Sequence, residues 1–86
     1  MIIEVLGIDC EQTAALEDAV ARALADLGLE SAAAVRRISD PAAIIARNVR
    51  RWPGLSVDGK VVCRGRVPSA GEIRGYVTAA VGGPGV

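Results

Sequence analysis

A short β-branched run at the start of the chain is followed by a long amphipathic segment. Ile2 to Leu6 predicts a first strand, and Gly7 to Cys10 predicts a loop. From about Glu11 to Leu27 apolar residues recur at helical spacing, and Gly28 is a plausible stop because glycine adopts the left-handed conformation cheaply. A strand, a long helix and a further strand imply two parallel strands joined by a right-handed crossover.

The next segment predicts that further strand and a short helix. Ala32 to Ile38 is assigned to the second strand because of its β-branched residues and its position between two helical patterns. Asp40-Pro41 is typical of an N-cap followed by a proline in the first helical turn. We therefore expect a helix from Pro41 to about Arg47. The residues expected to be buried on it are Ile44 and Ile45.

The C-terminal third predicts a hairpin and a last helix. Asp58-Gly59 separates the apolar runs Leu55–Val57 and Lys60–Cys63 and favours a type I′ turn, in which both central residues need positive φ. Ser69 and Glu72 have the spacing of a capping box. The residues expected to be buried on the helix that follows are Ile73, Tyr76, Val77 and Ala80. The order is β-α-β-α-β-β-α, an α/β fold whose four-stranded mixed sheet carries three helices.

The length of 86 residues allows one small domain. We expect it to span residues 1–80, with a flexible Gly-rich tail over residues 81–86. Hydrophobic residues make up 51% of the chain but aromatic residues only 2%, so the core has to be built from Ala, Val, Leu and Ile.

Composition also restricts the chemistry. Ten basic and ten acidic residues give a net charge of zero, which argues against a nucleic-acid partner. The absence of His excludes Ser-His-Asp and Cys-His catalysis, and two Cys are too few for a Cys-only zinc site or a disulfide scaffold. We expect no membrane segment, signal peptide, metal or cofactor, and predict a cytoplasmic monomer whose cysteines are thiols at rest.

The element order, with a Cys after the first strand and a Pro before the third, is similar to a minimal thioredoxin fold. It most resembles the very small thioredoxin-like proteins of archaea and bacteria, often called redox-active disulfide proteins, over roughly residues 1–80. The matching stretches are Ile3-Glu4-Val5-Leu6-Gly7, Pro53-Gly54-Leu55, Val57-Asp58-Gly59-Lys60-Val61-Val62, Gly65-Arg66-Val67-Pro68-Ser69 and Glu72-Ile73. The redox motif of that family is Cys-x-x-Cys, whereas this chain has Cys10-Glu11-Gln12-Thr13. The resemblance therefore supports the fold more strongly than it supports the redox activity.

Cys10 is the candidate nucleophile because the N-terminus of a helix stabilises a thiolate. Asp9 and Glu11 oppose ionisation, and the alternative is an inert loop cysteine. Thr13, one turn into the helix, either donates a hydrogen bond to the Cys10 thiolate or only caps the helix. It cannot resolve a mixed disulfide, so an external thiol such as glutathione would have to do so.

The resemblance implies a cis-proline at Pro53, whose backbone pairs with an extended substrate. Trp52 beside it, where the family commonly has a small or hydroxyl residue, either forms part of a peptide-binding surface or covers a core poor in aromatics. Thioredoxins carry a buried acid at the spacing of Glu4 from Cys10. We expect Glu4 to be partly exposed instead, because burying a carboxylate is costly.

Cys63 is expected roughly 9–10 Å from Cys10, two strand spacings away and too far for a disulfide. We predict that it is a small buried residue. Five arginines either gather at the rim of the site, where they would attract glutathione carboxylates or an acidic partner, or are simply solvated: Arg47, Arg50, Arg51, Arg64 and Arg66.

Three functions compete. The favoured one is a monothiol thiol–disulfide oxidoreductase acting on protein disulfides or glutathione mixed disulfides through Cys10. The second is a redox-inactive module that binds a peptide or protein near Trp52 and Pro53. The third is a soft-metal or iron–sulfur site formed by Cys10 from two subunits.

Overall fold

The computed structural model describes residues 1–82. Its elements are β1 (Ile2–Leu6), α1 (Glu11–Leu27), β2 (Ala34–Ile38), α2 (Pro41–Ala46), β3 (Gly54–Val57), β4 (Lys60–Arg64) and α3 (Ala70–Gly82). The predicted fold class is confirmed, although β2 begins two residues later than expected and α2 ends one residue earlier. Residues 81 and 82 of the predicted tail belong to α3, and residues 83–86 lie outside the described part of the chain.

The four strands lie in the order β2-β1-β3-β4. β1 is parallel to β2 and antiparallel to β3, and β3 is antiparallel to β4. In register, Leu6 pairs with Gly54, and Gly54 pairs with Arg64. The C-terminal ends of β1 and β4 and the N-terminal end of β3 therefore meet at one edge of the sheet. The loops that leave this edge carry the candidate functional residues.

Alternation along β1 divides the interior into two clusters. Ile3 and Val5 belong to the larger one, while Leu6 belongs to the smaller one. The larger cluster also contains buried residues of α1, β3, β4 and α3, namely Leu16, Val20, Ala23, Leu24, Leu55, Val57, Cys63, Ile73 and Val77. The smaller cluster is completed by Ile44 and Val49. The buried hydrophobic residues are thus aliphatic apart from Cys63, as the composition predicted.

Two residues predicted to be buried are exposed. The side chain of Ile45 is 58% exposed. The short helix α2 packs through Ile44, which contacts Leu6 and Val49, and Ile45 lies on a different face. Ala80 is exposed because the buried stripe of α3 ends at Val77, one turn before the helix itself ends. Tyr76 is half-buried and packs against the larger cluster.

The predicted turns and caps form through local hydrogen bonds. Asp58 and Gly59 have φ of 50° and 85°, as the hairpin turn requires, and Gly28 ends α1 with φ of 67°. The hydroxyl of Ser69 accepts from the Glu72 N–H at 3.1 Å, and the Glu72 carboxylate accepts from the Ser69 N–H at 3.2 Å. Within residues 1–82, no helix combines the length and the apolar character needed to cross a membrane.

Candidate active site

Cys10 occupies the N-cap position of α1. Its backbone is extended, with φ of −157° and ψ of 171°, and its carbonyl accepts the first helical hydrogen bond from the Ala14 N–H at 3.0 Å. The first N–H groups of a helix lack intrahelical acceptors and form its positive end. The half-buried Cys10 side chain therefore lies where a negative charge is stabilised.

Thr13 is fully buried one turn after Cys10, and its Oγ1 lies 3.4 Å from the Cys10 Sγ. Gly7 makes room for this threonine, since a Cβ atom at residue 7 would lie only 2.5 Å from the Thr13 Oγ1. The close approach of Gly7 was not part of the sequence-based prediction. The Gly7–Cys10 loop and the first turn of α1 thus pack together around one hydroxyl–thiol contact.

These contacts lower the pKa of Cys10 below its ordinary value of 9.0. The largest cause is the side-chain hydrogen bond from Thr13, followed by the Thr13 backbone N–H, with a smaller contribution from the Gln12 N–H. Partial burial and the negative charge of Asp9 act in the opposite direction. Arg37 reduces the effect of Asp9, because its Nη1 lies 3.0 Å from the Asp9 Oδ1. The net shift favours the thiolate.

The Trp52–Pro53 peptide bond is cis. The Pro53 carbonyl accepts a hydrogen bond from the Gly65 N–H at 2.9 Å, and the adjacent Gly54 pairs with Leu6. This proline therefore stands at the sheet edge from which the loop to Cys10 departs. Within the described residues, neither the N–H nor the C=O of Trp52 has a backbone hydrogen-bond partner.

The ring of Trp52 is half-buried and packs against the smaller cluster of Leu6, Ile44 and Val49. Its indole N–H is buried and has no hydrogen-bond acceptor among the described residues. The structure thus shows the core-covering contact that the sequence offered as one of two roles for Trp52.

Glu4 forms an ion pair that the sequence did not reveal. Its carboxylate accepts hydrogen bonds from Nε and Nη2 of Arg47 at 2.9 and 3.1 Å, and from the Ser56 hydroxyl at 3.3 Å. The side chain is partly exposed, as predicted, with 13% of its surface accessible, and the pairing satisfies its charge. The hydrogen bonds from Arg47 are the largest cause of the lowered pKa of Glu4, with burial opposing them. Glu4 is therefore ionised at neutral pH.

Cys63 is 7% exposed and belongs to the larger core cluster, as predicted. Its Sγ lies 3.8 Å from the Arg66 carbonyl oxygen, and both cysteines are free thiols. Among residues 1–82, no three Cys, Asp or Glu side chains gather in a way that would hold a metal ion.

The five candidate rim arginines separate into two groups. Arg47 is bound to Glu4, and Arg66 forms an ion pair with Glu72 at 2.6 Å. The other three are exposed and have no carboxylate within ion-pair distance in the described part of the chain: Arg50, Arg51 and Arg64. Of the five candidates, these three are the ones whose charge no carboxylate among residues 1–82 neutralises.

Comparison with known proteins agrees with this architecture. A family model described as thioredoxin domain matches residues 1–78. A curated relative, named thioredoxin, from Methanothermobacter thermautotrophicus is 32% identical over 74 residues, which cover 86% of this chain and 94% of the relative. The β-α-β-α-β-β-α order, the four-stranded mixed sheet and these matches lead to one conclusion: the chain belongs to the thioredoxin family.

Proposed function

We propose that this protein is a monothiol thiol–disulfide oxidoreductase whose nucleophile is Cys10. The observation that carries the proposal is the hydrogen bond between Cys10 and the buried Thr13 hydroxyl at the N-terminus of α1. The same contact is the main cause of the lowered pKa of Cys10. A lowered pKa increases the thiolate fraction near neutral pH, and the thiolate is the form that attacks disulfides.

The reaction proceeds by two exchanges. The Cys10 thiolate attacks one sulfur of a glutathionylated protein, a bond forms between Cys10 and the glutathione sulfur, and the protein thiolate leaves and takes up a proton. A second glutathione thiolate then attacks the glutathione sulfur of this adduct. Glutathione disulfide and the Cys10 thiolate are released. In total, one glutathione thiol from solution is oxidised and the protein mixed disulfide is reduced to a thiol. The other half of the glutathione disulfide comes from the mixed disulfide itself.

Thr13 supports this monothiol scheme and cannot replace a second cysteine. Its hydroxyl stabilises the leaving Cys10 thiolate in the second exchange, but an oxygen does not form the disulfide that would release a bound protein. The thiol that completes the cycle must therefore come from solution. A reducing compartment such as the cytoplasm supplies it, and the domain acts there as a monomer.

Trp52 and Pro53 provide the surface on which a substrate polypeptide binds. Among the described residues the N–H and C=O of Trp52 have no backbone hydrogen-bond partner, and this C=O belongs to the cis peptide bond itself. The bond lies at the same sheet edge as the loop to Cys10. An extended peptide gains affinity by pairing with such backbone groups, and its side chains then provide specificity.

The decisive experiment measures adduct formation with glutathione disulfide at neutral pH by intact-protein mass spectrometry. We expect the wild type and the Cys63→Ala variant to gain one glutathione, and Cys10→Ser to gain none. We also expect the adduct to disappear when reduced glutathione is added. The proposal fails if Cys10 in the Cys63→Ala variant reacts no faster than free cysteine.

The alternative is a redox-inactive binding module, and the unpaired backbone of Trp52 favours it as well. In that case Cys10→Ser would retain its peptide or protein partner in a pulldown while all thiol exchange is absent from the wild type.

A further inference from the structure

Three arginines that lie near the cis peptide in sequence or in strand register have no ion-pair partner in the described part of the chain. We call Arg50, Arg51 and Arg64 the arginine cluster. All three are exposed, and none forms an ion pair within residues 1–82. Four other arginines, by contrast, are bound to carboxylates: Arg37, Arg47, Arg66 and Arg74.

Contacts hold two members of the cluster next to Pro53. Arg64 pairs in register with Gly54, and its Nε donates to the Asn48 carbonyl oxygen at 3.2 Å. The aliphatic part of the Arg51 side chain packs against Gly65: a Cβ atom added to Gly65 would lie 3.2 Å from the Arg51 Cβ. Gly65 in turn donates its N–H to the Pro53 carbonyl. Strand pairing and the Gly65–Pro53 hydrogen bond therefore hold Arg64 and Arg51 near Pro53, at the edge of the sheet where a substrate is proposed to bind.

The loop on the other side of the site has the opposite charge. Asp9 and Glu11 flank Cys10 and are exposed. Arg37, which also binds Glu17, pairs with Asp9 but forms no ion pair with Glu11. The end of the sheet from which the loop to Cys10 departs thus carries exposed carboxylates in that loop and exposed arginines near Pro53. Guanidinium groups bind carboxylates in a bidentate manner, and unpaired charges at a site steer the encounter of oppositely charged molecules.

We propose that the arginine cluster selects acidic disulfide substrates: polypeptides that carry Asp or Glu next to the cysteine that takes part in the disulfide. The selection rests on the proposed oxidoreductase function and adds a substrate class to it. It acts on the rate of encounter, so it weakens as salt screens the charges.

The test uses three synthetic peptides that differ only in the residues flanking a single cysteine, which are Glu, Gln or Lys. Each cysteine is protected as a mixed disulfide with neutral 2-mercaptoethanol, and thiol release by the Cys63→Ala protein is followed. We expect the Glu peptide to react about 3- to 10-fold faster than the Gln peptide at low salt. The difference should vanish at about 1 M salt, where the Debye length is about 3 Å.

Two charge variants locate the effect. Arg50→Gln with Arg51→Gln removes two charges from the cluster and should bring the rates for the Glu and Gln peptides close together. Arg50→Glu with Arg51→Glu should reverse the preference, so that the Lys peptide reacts fastest. The matched control, Arg22→Gln with Lys60→Gln, removes two exposed charges from the solvent face of α1 and the start of β4, and should keep the wild-type preference.

The Gln peptide separates the two proposals. If it reacts with Cys10 but all three peptides react equally at low salt, the selection for acidic substrates is wrong and the oxidoreductase function stands. An unchanged preference in the charge-reversal variant also rules the selection out. If the Gln peptide does not react with Cys10 at all, the oxidoreductase function itself is wrong.

Discussion

Gly7 and Thr13 pack so closely that a Cβ atom at residue 7 would lie 2.5 Å from the Thr13 Oγ1. That oxygen is also the atom in contact with the Cys10 Sγ. The position of the hydroxyl, and with it the ionisation of the thiol, therefore depends on a glycine that has no chemistry of its own.

Gly7→Ala should destabilise the fold by about 1–3 kcal/mol, because an atom added to a packed site forces its neighbours to move. The cost should be smaller in a Thr13→Ala background, which removes the colliding oxygen. A double-mutant cycle from urea unfolding measures this coupling. Gly75→Ala is the control: a Cβ there meets nothing within 4 Å, and the change in α3 should stabilise the protein by about 0.5–1 kcal/mol. Additive losses for Gly7→Ala and Thr13→Ala would contradict the packing account.

Thr13→Val should raise the pKa of Cys10 towards its ordinary value, because valine keeps the shape of threonine but donates no hydrogen bond. Reactivity of Cys10 increases as pH rises through its pKa, so the alkylation rate profile of the variant should shift to higher pH. Iodoacetamide alkylation in the Cys63→Ala background measures that profile. Thr13→Ser, which retains the hydroxyl, is the control. Identical profiles for the valine and serine variants would show that Thr13 does not tune the thiol.

Arg47→Met should destabilise the protein by about 1–3 kcal/mol, because it leaves the mostly buried carboxylate of Glu4 with only the Ser56 hydroxyl. The pKa of Glu4 is lowered in the folded state, so its pairing stabilises the fold above the ordinary pKa of 4.5, and this contribution is lost as pH falls through the lowered value. Urea unfolding at neutral and acidic pH should show the deficit of the variant shrinking on acidification. Arg50→Met, an exposed arginine without an ion pair, should change stability by less than about 0.5 kcal/mol.

Glu72→Gln should flatten the acid side of the stability profile. Hydrogen bonds from Arg66 and from the Ser69 N–H lower the pKa of Glu72 from 4.5 to about 2. Stability from this group is therefore complete above pH 4.5 and is lost as pH falls towards 2. Glutamine can still accept from the Ser69 N–H, so the variant isolates the charge. The free energies of unfolding of wild type and variant, measured with urea, should differ at pH 6 and converge near pH 2. A difference that stays constant with pH would show that the Glu72 charge is not its cause.

Features fixed by adjacent residues could be predicted from the sequence. The stop of α1 at Gly28, the Asp58-Gly59 turn and the Ser69–Glu72 capping box each follow from the chemistry of one short segment. Contacts between distant segments could not be predicted. Glu4 and Arg47 are 43 residues apart in sequence. Gly7 shows no local sign that a threonine will press against it.

The site residues followed the same division. The position of Cys10 at a helix N-terminus follows from the strand–loop–helix pattern at the start of the chain. The pattern does not indicate which arginines lack an ion-pair partner, because the pairing depends on where Glu4 and Glu72 lie after folding. The exposure of Ile45 has a different origin: on the six-residue helix α2, the sequence pattern does not decide which of two successive isoleucines faces the sheet.

The burial of Cys63 determines which chemical form the oxidised protein takes. A dithiol protein records oxidation internally, as the loss of two hydrogens and the closure of a ring. Here the second thiol is held within the core, so any disulfide that Cys10 forms while the fold is intact joins it to another molecule. The oxidised protein would thus be heavier by its last partner, and its mass would identify that partner.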